Sequence, residues 1–266
     1  MPAFFYNLHV LAALIIIYII FGSIGFAGYK INQRFFKKSN NQNIVTMAQQ
    51  TSITFGTLFI AFWIALNWQT LDNLNLDTQH EAQAIISIYN STNMVENPQE
   101  RQIIQNDIKL YLNSVINDEY KSLENGKPNL NTQSLLNQLG QKIYLLPTTD
   151  LEQKLVYMKL IDSLNSLIDF RLKRLDYAAG QINGVLLIFF IMLLVLICFW
   201  SGCINNNYKK LTIMVILSQN LIILSSAWLI LEIDRPFQGY FRVDNKAFVA
   251  ASYNLEKLDT KLVAHQ

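Results

Sequence analysis

The stretch Ile53-Thr-Phe-Gly-Thr-Leu-Phe-Ile-Ala-Phe-Trp-Ile-Ala-Leu66 has no charged residue and is apolar enough to sit in lipid. The chain runs on through Asn67-Trp-Gln-Thr-Leu-Asp-Asn-Leu-Asn-Leu-Asp77 and Glu81-Ala-Gln-Ala-Ile-Ile-Ser-Ile-Tyr89 without proline or glycine. In this second half Leu71, Leu74, Ala82, Ile85, Ile86 and Tyr89 recur at helical spacing, with Asp72, Asp77 and Glu81 between them. No stop signal separates the halves. The pattern predicts one long helix that leaves a membrane and enters a water-soluble helical domain. Trp63 and Trp68 fit the membrane interface, where an indole keeps its ring in the acyl boundary and its N–H in water.

Working outward, the chain reads as an all-α polytopic membrane protein with four transmembrane helices and a helical insert between the second and third. A first hairpin covers residues 1–68, with spans at about 8–29 and 53–68. The insert covers 69–180. A second hairpin covers 181–233, with spans at about 185–204 and 211–231, and residues 234–266 form a turn and C-terminal tail. The first span is a poor signal peptide, because its basic residues follow it rather than precede it. Gly22, Gly25 and Gly28 recur near its end; they suit close approach of a neighbouring helix and equally suit ordinary membrane-helix glycine. Ser218, Gln219, Asn220, Ser225 and Ser226 interrupt the fourth span, as interhelical hydrogen-bonding groups or as the lining of a pathway.

The insert shows no strand signal. Asn97-Pro98-Gln99-Glu100 opens a helix with Ile103, Ile104, Ile108, Leu112, Val115 and Ile116 on one face, stopped at Asn125-Gly-Lys-Pro128. A shorter helix covers about 131–145. Thr149-Asp-Leu-Glu152 is a capping-box pattern opening a long helix with Leu151, Leu155, Met158, Ile161, Leu164, Ile168, Leu172 and Leu175 expected inward. Residues 71–176 hold ten Lys/Arg and fourteen Asp/Glu, a mildly acidic balance. The loops beside the spans are basic instead: Lys30, Arg34, Lys37 and Lys38 in one, Lys209 and Lys210 in the other. The positive-inside rule then places both loops in the cytoplasm of a bacterial inner membrane, with the insert and both termini outside.

The totals exclude several classes. The chain is 52% hydrophobic, 15% charged and carries a net charge of +2, too little for nucleic acid. His9, His80 and His265 are scattered and make no metal site; Cys198 and Cys203 read as buried free thiols. No Gly-x-Ser-x-Gly, phosphate loop or carboxylate pair points to an enzyme, and nothing calls for a cofactor.

Glu232-Ile-Asp-Arg-Pro-Phe-Gln-Gly239 closes the last span. Pro236 stops the helix, Arg235 can reach headgroups, and Asp234 can pair with a basic neighbour such as Arg171 or Arg174. A span ending in Asp234, Arg235, Pro236, Phe237 and Gly239 resembles the bacterial bestrophin-like membrane proteins, long catalogued as a domain of unknown function. Glu81-Ala82, Tyr111, Asp118-Glu119 and Arg171-Leu-Lys-Arg174 add to the resemblance, which covers about residues 45–245. It implies distant kinship with bestrophins, pentameric anion channels whose second span lines a pore with an apolar and aromatic neck. Setting Trp68 against their tryptophan places Phe55 and Phe59 near the neck phenylalanines; Phe55, Phe59 and Phe62 share one helical face, which suits a constriction and also suits plain packing.

The expectation is a homo-oligomeric channel for inorganic ions in a lipid bilayer, a pentamer by resemblance, without default anion preference because the insert is acidic. An assembly scaffold or sensor that binds a partner through the insert is the alternative. Bestrophins hold their helical domain in the cytosol, so the loop charges here imply the opposite orientation.

Overall fold

A computed structural model describes residues 3–36, 42–148, 150–178, 184–203, 209–238 and 240–264. Every regular element among them is a helix: α1 Ala3–Ile31, α2 Gln42–Thr92, α3 Pro98–Ser114, α4 Tyr120–Leu123, α5 Leu130–Tyr144, α6 Leu151–Ala178, α7 Gly184–Gly202, α8 Lys209–Ile233 and α9 Lys246–Ala264. They divide into two compact units, one of residues 1–68 and 182–234, the other of 69–181 and 235–266. The 51-residue α2 passes from the first unit into the second without a break. This is the consequence of a sequence that changes from apolar to amphipathic without a glycine, proline or cap at the junction.

Among the described residues four helices are long and apolar enough to cross a membrane, α1, α2, α7 and α8, and the first unit contains α1, α7, α8 and the N-terminal part of α2. Ile60 and Trp63 of α2 pack with Phe190, Leu194, Ile197 and Cys198 of α7 and Ile223, Ala227 and Ile230 of α8. Trp63, expected at a lipid interface, is therefore a core residue: its ring lies edge-on to Phe190 at 5.0 Å and to Phe59 at 5.6 Å. Trp68 is exposed. The α1 glycines serve close approach. A Cβ on Gly28 would stand 2.3 Å from the carbonyl oxygen of Phe199, and one on Gly202 would stand 1.8 Å from that of Gly25. In lipid, where apolar burial drives little association, such backbone contact supplies the dispersion energy that holds helices together. Within α8, Gln219 accepts a hydrogen bond from Ser201, and Asn220 accepts one from the Cys198 thiol at 3.2 Å. Ser218, Ser225 and Ser226 donate to carbonyls of their own helix. Asn220 and Gln219 are thus interhelical groups joining α7 and α8. Both cysteines are free and buried.

The second unit is a helical bundle around a core of Ile85, Ile88, Tyr89, Ile104, Ile108, Tyr111, Leu112, Leu139, Ile143, Leu160, Leu164 and Leu167. Its helices start where the sequence predicts. Asn97 caps α3 by accepting the Gln99 N–H, and Pro98 occupies the first turn. Asn129 caps α5 by accepting from Thr132. Thr149 of the expected capping box lies outside the described residues; Asp150 accepts the Gln153 N–H at 2.8 Å. Gly126 ends the α4 segment at φ +67°, a left-handed conformation that disfavours any side chain.

Two expectations change. On α6 the buried residues are Val156, Leu160, Leu164, Leu167, Arg171 and Arg174, whereas Leu151, Leu155, Met158 and Leu172 are exposed. The helix carries two apolar stripes, and hydrophobic spacing alone favours the outer one; the inner stripe hides two arginines. The last segment, separated as a turn and tail in the sequence, folds with the second unit: Phe248, Ala251 and Leu255 of α9 join its core.

The α1–α7 contact makes a direct prediction. Gly202→Val has no room against Gly25 and should abolish the monodisperse peak in detergent size-exclusion chromatography. Gly184→Ala, whose Cβ meets nothing within 4 Å, should elute like the parent.

Candidate functional site

Each unit holds one candidate site. In the second unit, Arg171 and Arg174 stand three residues apart on the inner face of α6, directly after Leu164 and Leu167. Glu81 comes from the inner face of α2. Glu119 arrives by a local irregularity: Val115–Glu119 is wound as a π-helical turn between α3 and α4. The wider turn leaves Asp118 outside and brings Glu119 inside. Both acids and both arginines are at most 1% exposed.

The four groups form a chain of ion pairs. Arg174 grips Glu81 in a fork, Nε to Oε2 at 2.6 Å and Nη2 to Oε1 at 2.9 Å. The same Nη2 reaches Glu119 Oε2 at 2.6 Å. Arg171 takes the other oxygen, Nη2 to Oε1 at 2.6 Å, and donates from Nη1 to Gln133 of α5. Tyr111 of α3 donates its hydroxyl to Glu81 at 3.2 Å. Arg174 Nη1 has no hydrogen-bond acceptor. Its guanidinium instead lies 5.6 Å from the Tyr120 ring and 5.4 Å from the Phe248 ring, so cation–π attraction covers the donor that no oxygen meets. Sequence reasoning offered Asp234 as partner for these arginines; the structure supplies Glu81 and Glu119.

Burial alone would raise the Glu119 carboxyl, but the guanidiniums of Arg174 and Arg171 outweigh it and hold the group below its usual value of 4.5. Burial likewise opposes the charge on Arg174, and Glu81 and Glu119 reverse that, so the guanidinium stays protonated. Tyr111 and Tyr120 are both pushed up, chiefly by desolvation, and stay neutral. The arrangement is charge-balanced and closed to solvent. It offers no nucleophile, no open base and no ligand set, and its chemistry is that of a clamp joining α2, α6 and the π turn. A second tie binds α9: Asp259 accepts from Tyr89 and pairs with Lys109. Neither Asp259 nor Phe248 stood out in the sequence, because a lone acid or phenylalanine on an amphipathic helix carries no signal of its distant partner.

The Pro-Phe element is divided. Arg235 is exposed, while Pro236 and Phe237 are buried. The Pro236 carbonyl accepts the Val243 N–H at 2.7 Å, and the Phe237 ring meets Tyr120 edge-on at 5.8 Å. Asp234 is half-buried at the end of the first unit, its N–H bonded to Ile230 O. Gly239 lies outside the described residues.

In the first unit the three phenylalanines of α2 part ways. Phe59 is half-buried and packs edge-on against Phe189 at 5.1 Å. Phe55 and Phe62 face away from the unit, 52% and 63% exposed, and Leu58 and Leu66 accompany them on the same face. The exposed stripe therefore reads Phe55, Leu58, Phe62, Leu66. Leu58 and Leu66 had no distinguishing signal in the sequence, because a leucine in an apolar span looks the same whether it faces a neighbouring helix or turns away from it.

Comparison with known proteins agrees with this architecture. The family model for the Bestrophin-like domain matches residues 3–248. A crystal structure of a bacterial bestrophin homologue from Klebsiella pneumoniae, carrying one substitution, superposes with a TM-score of 0.65 at 12% identity, covering 94% of this chain and 98% of that one. A second variant of the Klebsiella pneumoniae homologue gives 0.65 at 13% identity over 92% and 96%. A structure described as a membrane protein gives 0.66 at 11% identity over 91% and 97%. No curated protein matches the chain.

The clamp yields two measurable consequences. Glu119→Ala leaves two buried guanidiniums sharing one carboxylate and should cost about 3–5 kcal/mol, read as a large drop in thermal midpoint in detergent. Because the Glu119 carboxyl is lowered, its contribution is intact above the ordinary carboxylate range and is lost as pH falls through the lowered value. Glu119→Gln should therefore lower the midpoint at pH 7 and flatten its fall on acidification.

Proposed function

Because the chain belongs to the Bestrophin-like family, we propose that it forms a homo-oligomeric ion channel in which copies of α2 surround the conducting path. The observation that carries this reading is the unpartnered stripe Phe55, Leu58, Phe62 and Leu66 on a helix whose other face is packed. Large apolar side chains on a ring of such helices make a hydrophobic neck, which gates by dewetting. Phe59, turned toward Phe189, acts as the prop that fixes the rotation of α2 and so the direction of its neighbours. The stripe carries no charged residue. A path lined in this way has no built-in preference for either ion sign.

The basic residues Lys30, Arg34, Lys37, Lys38, Lys209 and Lys210 set the orientation, with the helical domain outside the inner membrane. The chain's own cysteines are buried, so a single Ser134→Cys on the exposed surface of α5 reports topology. It should react with a membrane-impermeant maleimide in intact spheroplasts; protection until lysis would reverse the assignment.

The channel reading is tested by current across planar bilayers in asymmetric salt. The parent protein should conduct, and Phe62→Ala and Phe55→Ala should each raise conductance or open probability several-fold. Phe59→Ala should lower the thermal midpoint, because it removes packing against Phe189 and Trp63. Silence from a folded oligomer would turn the reading toward a scaffold that binds a partner through the helical domain.

A further inference from the structure

The second unit presents two helix faces that its own core leaves uncovered. On α6, residues Leu151, Leu155, Met158, Asp162, Asn165, Asp169, Leu172 and Asp176 are all exposed and follow one another at alternating spacings of four and three. That is the 3.5-residue period by which one helix keeps a straight seam against another. On α3, residues Gln99, Ile103, Asn106, Leu110 and Asn113 do the same. Both helices pack on α5, and the seams are two distinct surfaces, one on each helix.

The α3 seam is unusual for a surface exposed to water, because it carries no charge. The four charged residues of α3, Glu100, Arg101, Asp107 and Lys109, are all half-buried and off the seam. Arg101 donates to the Val95 carbonyl at 2.7 Å, Asp107 pairs with Lys142 at 2.5 Å, and Lys109 pairs with Asp259. A helix that turns its charges inward and shows amides and aliphatics outward has the composition of an interface core, where charge is depleted.

We propose that these are the two halves of one subunit contact: the α6 seam of each copy packs on the α3 seam of the next. This rests on the homo-oligomer reading above and names the surfaces that close it. A closed ring needs two different, complementary faces on each subunit. The chemistry matches. Asp162, Asp169 and Asp176 supply carboxylate acceptors, and Gln99, Asn106 and Asn113 supply amide donors, the pairing that lets an acid be covered without an opposing charge. Leu151, Leu155, Met158 and Leu172 find Ile103 and Leu110. The α6 seam cannot pack on itself as well, since that would bring its own three aspartates face to face.

The test uses full-length protein in detergent, with elution volume and cross-linking as readouts. Leu110→Asp places a carboxylate against the acidic seam and should shift the oligomer to monomer. Adding Asp169→Lys to that variant should restore the oligomer. Ile103→Cys and Met158→Cys, each alone, should give only monomer with a short bis-maleimide, whereas the double variant should give a ladder ending at the ring. Leu110→Asp that stays oligomeric, single variants that cross-link, or a double variant without a ladder would overturn this contact while leaving the channel reading in place. A parent chain that elutes as a monomer would overturn both. Thermal midpoints unchanged by Leu110→Asp show that loss of assembly is not loss of folding.

Discussion

Arg174 is the fixed point of the second unit. It is a permanent cation with no access to water, and such a group survives only if the protein returns most of what hydration gave it. Glu81 does so with a fork, Glu119 with a single bond, and Tyr120 and Phe248 with their ring faces. Those partners come from α2, the contiguous π turn and α4, and α9, so one guanidinium requires that three separated segments be in place together around α6. Arg171 repeats the demand on Glu119 and adds α5 through Gln133. The π turn at Val115–Glu119 is explained by the same constraint, since it is what turns Glu119 toward the two guanidiniums.

This polar centre gives α2 a definite register. Apolar side chains on a bundle helix tolerate small slips, but a bidentate carboxylate–guanidinium pair does not, because both oxygens must meet the fork. Glu81 therefore anchors the rotation of the part of α2 that lies in the second unit. Within the membrane-spanning unit the packing of Phe59 and Trp63 against Phe189 and Phe190 has the equivalent effect. Each part of α2 is thus indexed within its own unit, by ion pairing in one and by aromatic packing in the other. The stripe Phe55, Leu58, Phe62 and Leu66 points where that aromatic packing leaves it.

The membrane-spanning unit shows why small residues matter more there than apolar ones. Gly25, Gly28 and Gly202 bring backbones into contact, and the polar side chains of α7 and α8 are matched to one another, Ser201 with Gln219 and Cys198 with Asn220. In a solvent as apolar as lipid, shape and hydrogen bonds discriminate between partners where hydrophobicity cannot.

Much of this was legible in the chain. Four apolar runs, the unbroken passage from Ile53 to Tyr89, the helix start at Asn97 and the stop at Gly126 are local signals, and local signals fix where helices begin and end. The family resemblance was legible too, carried by Asp234, Arg235, Pro236, Phe237 and Gly239. What the tertiary structure alone decided is which face of each helix turns inward and who meets whom. Leu151, Leu155 and Met158 look as buried by pattern as Leu160 and Leu164, yet only the second set sits in the core. Arg171 and Arg174, which the sequence offered as partners for Asp234, are instead the largest fully buried side chains of the unit, because Glu81 and Glu119 lie across the bundle. Phe59 and Phe62 are equivalent in sequence and differ only in that α7 stands beside one of them. Spacing along a helix is a property of the chain; the neighbour a side chain meets is a property of how distant segments pack, and no local pattern encodes that.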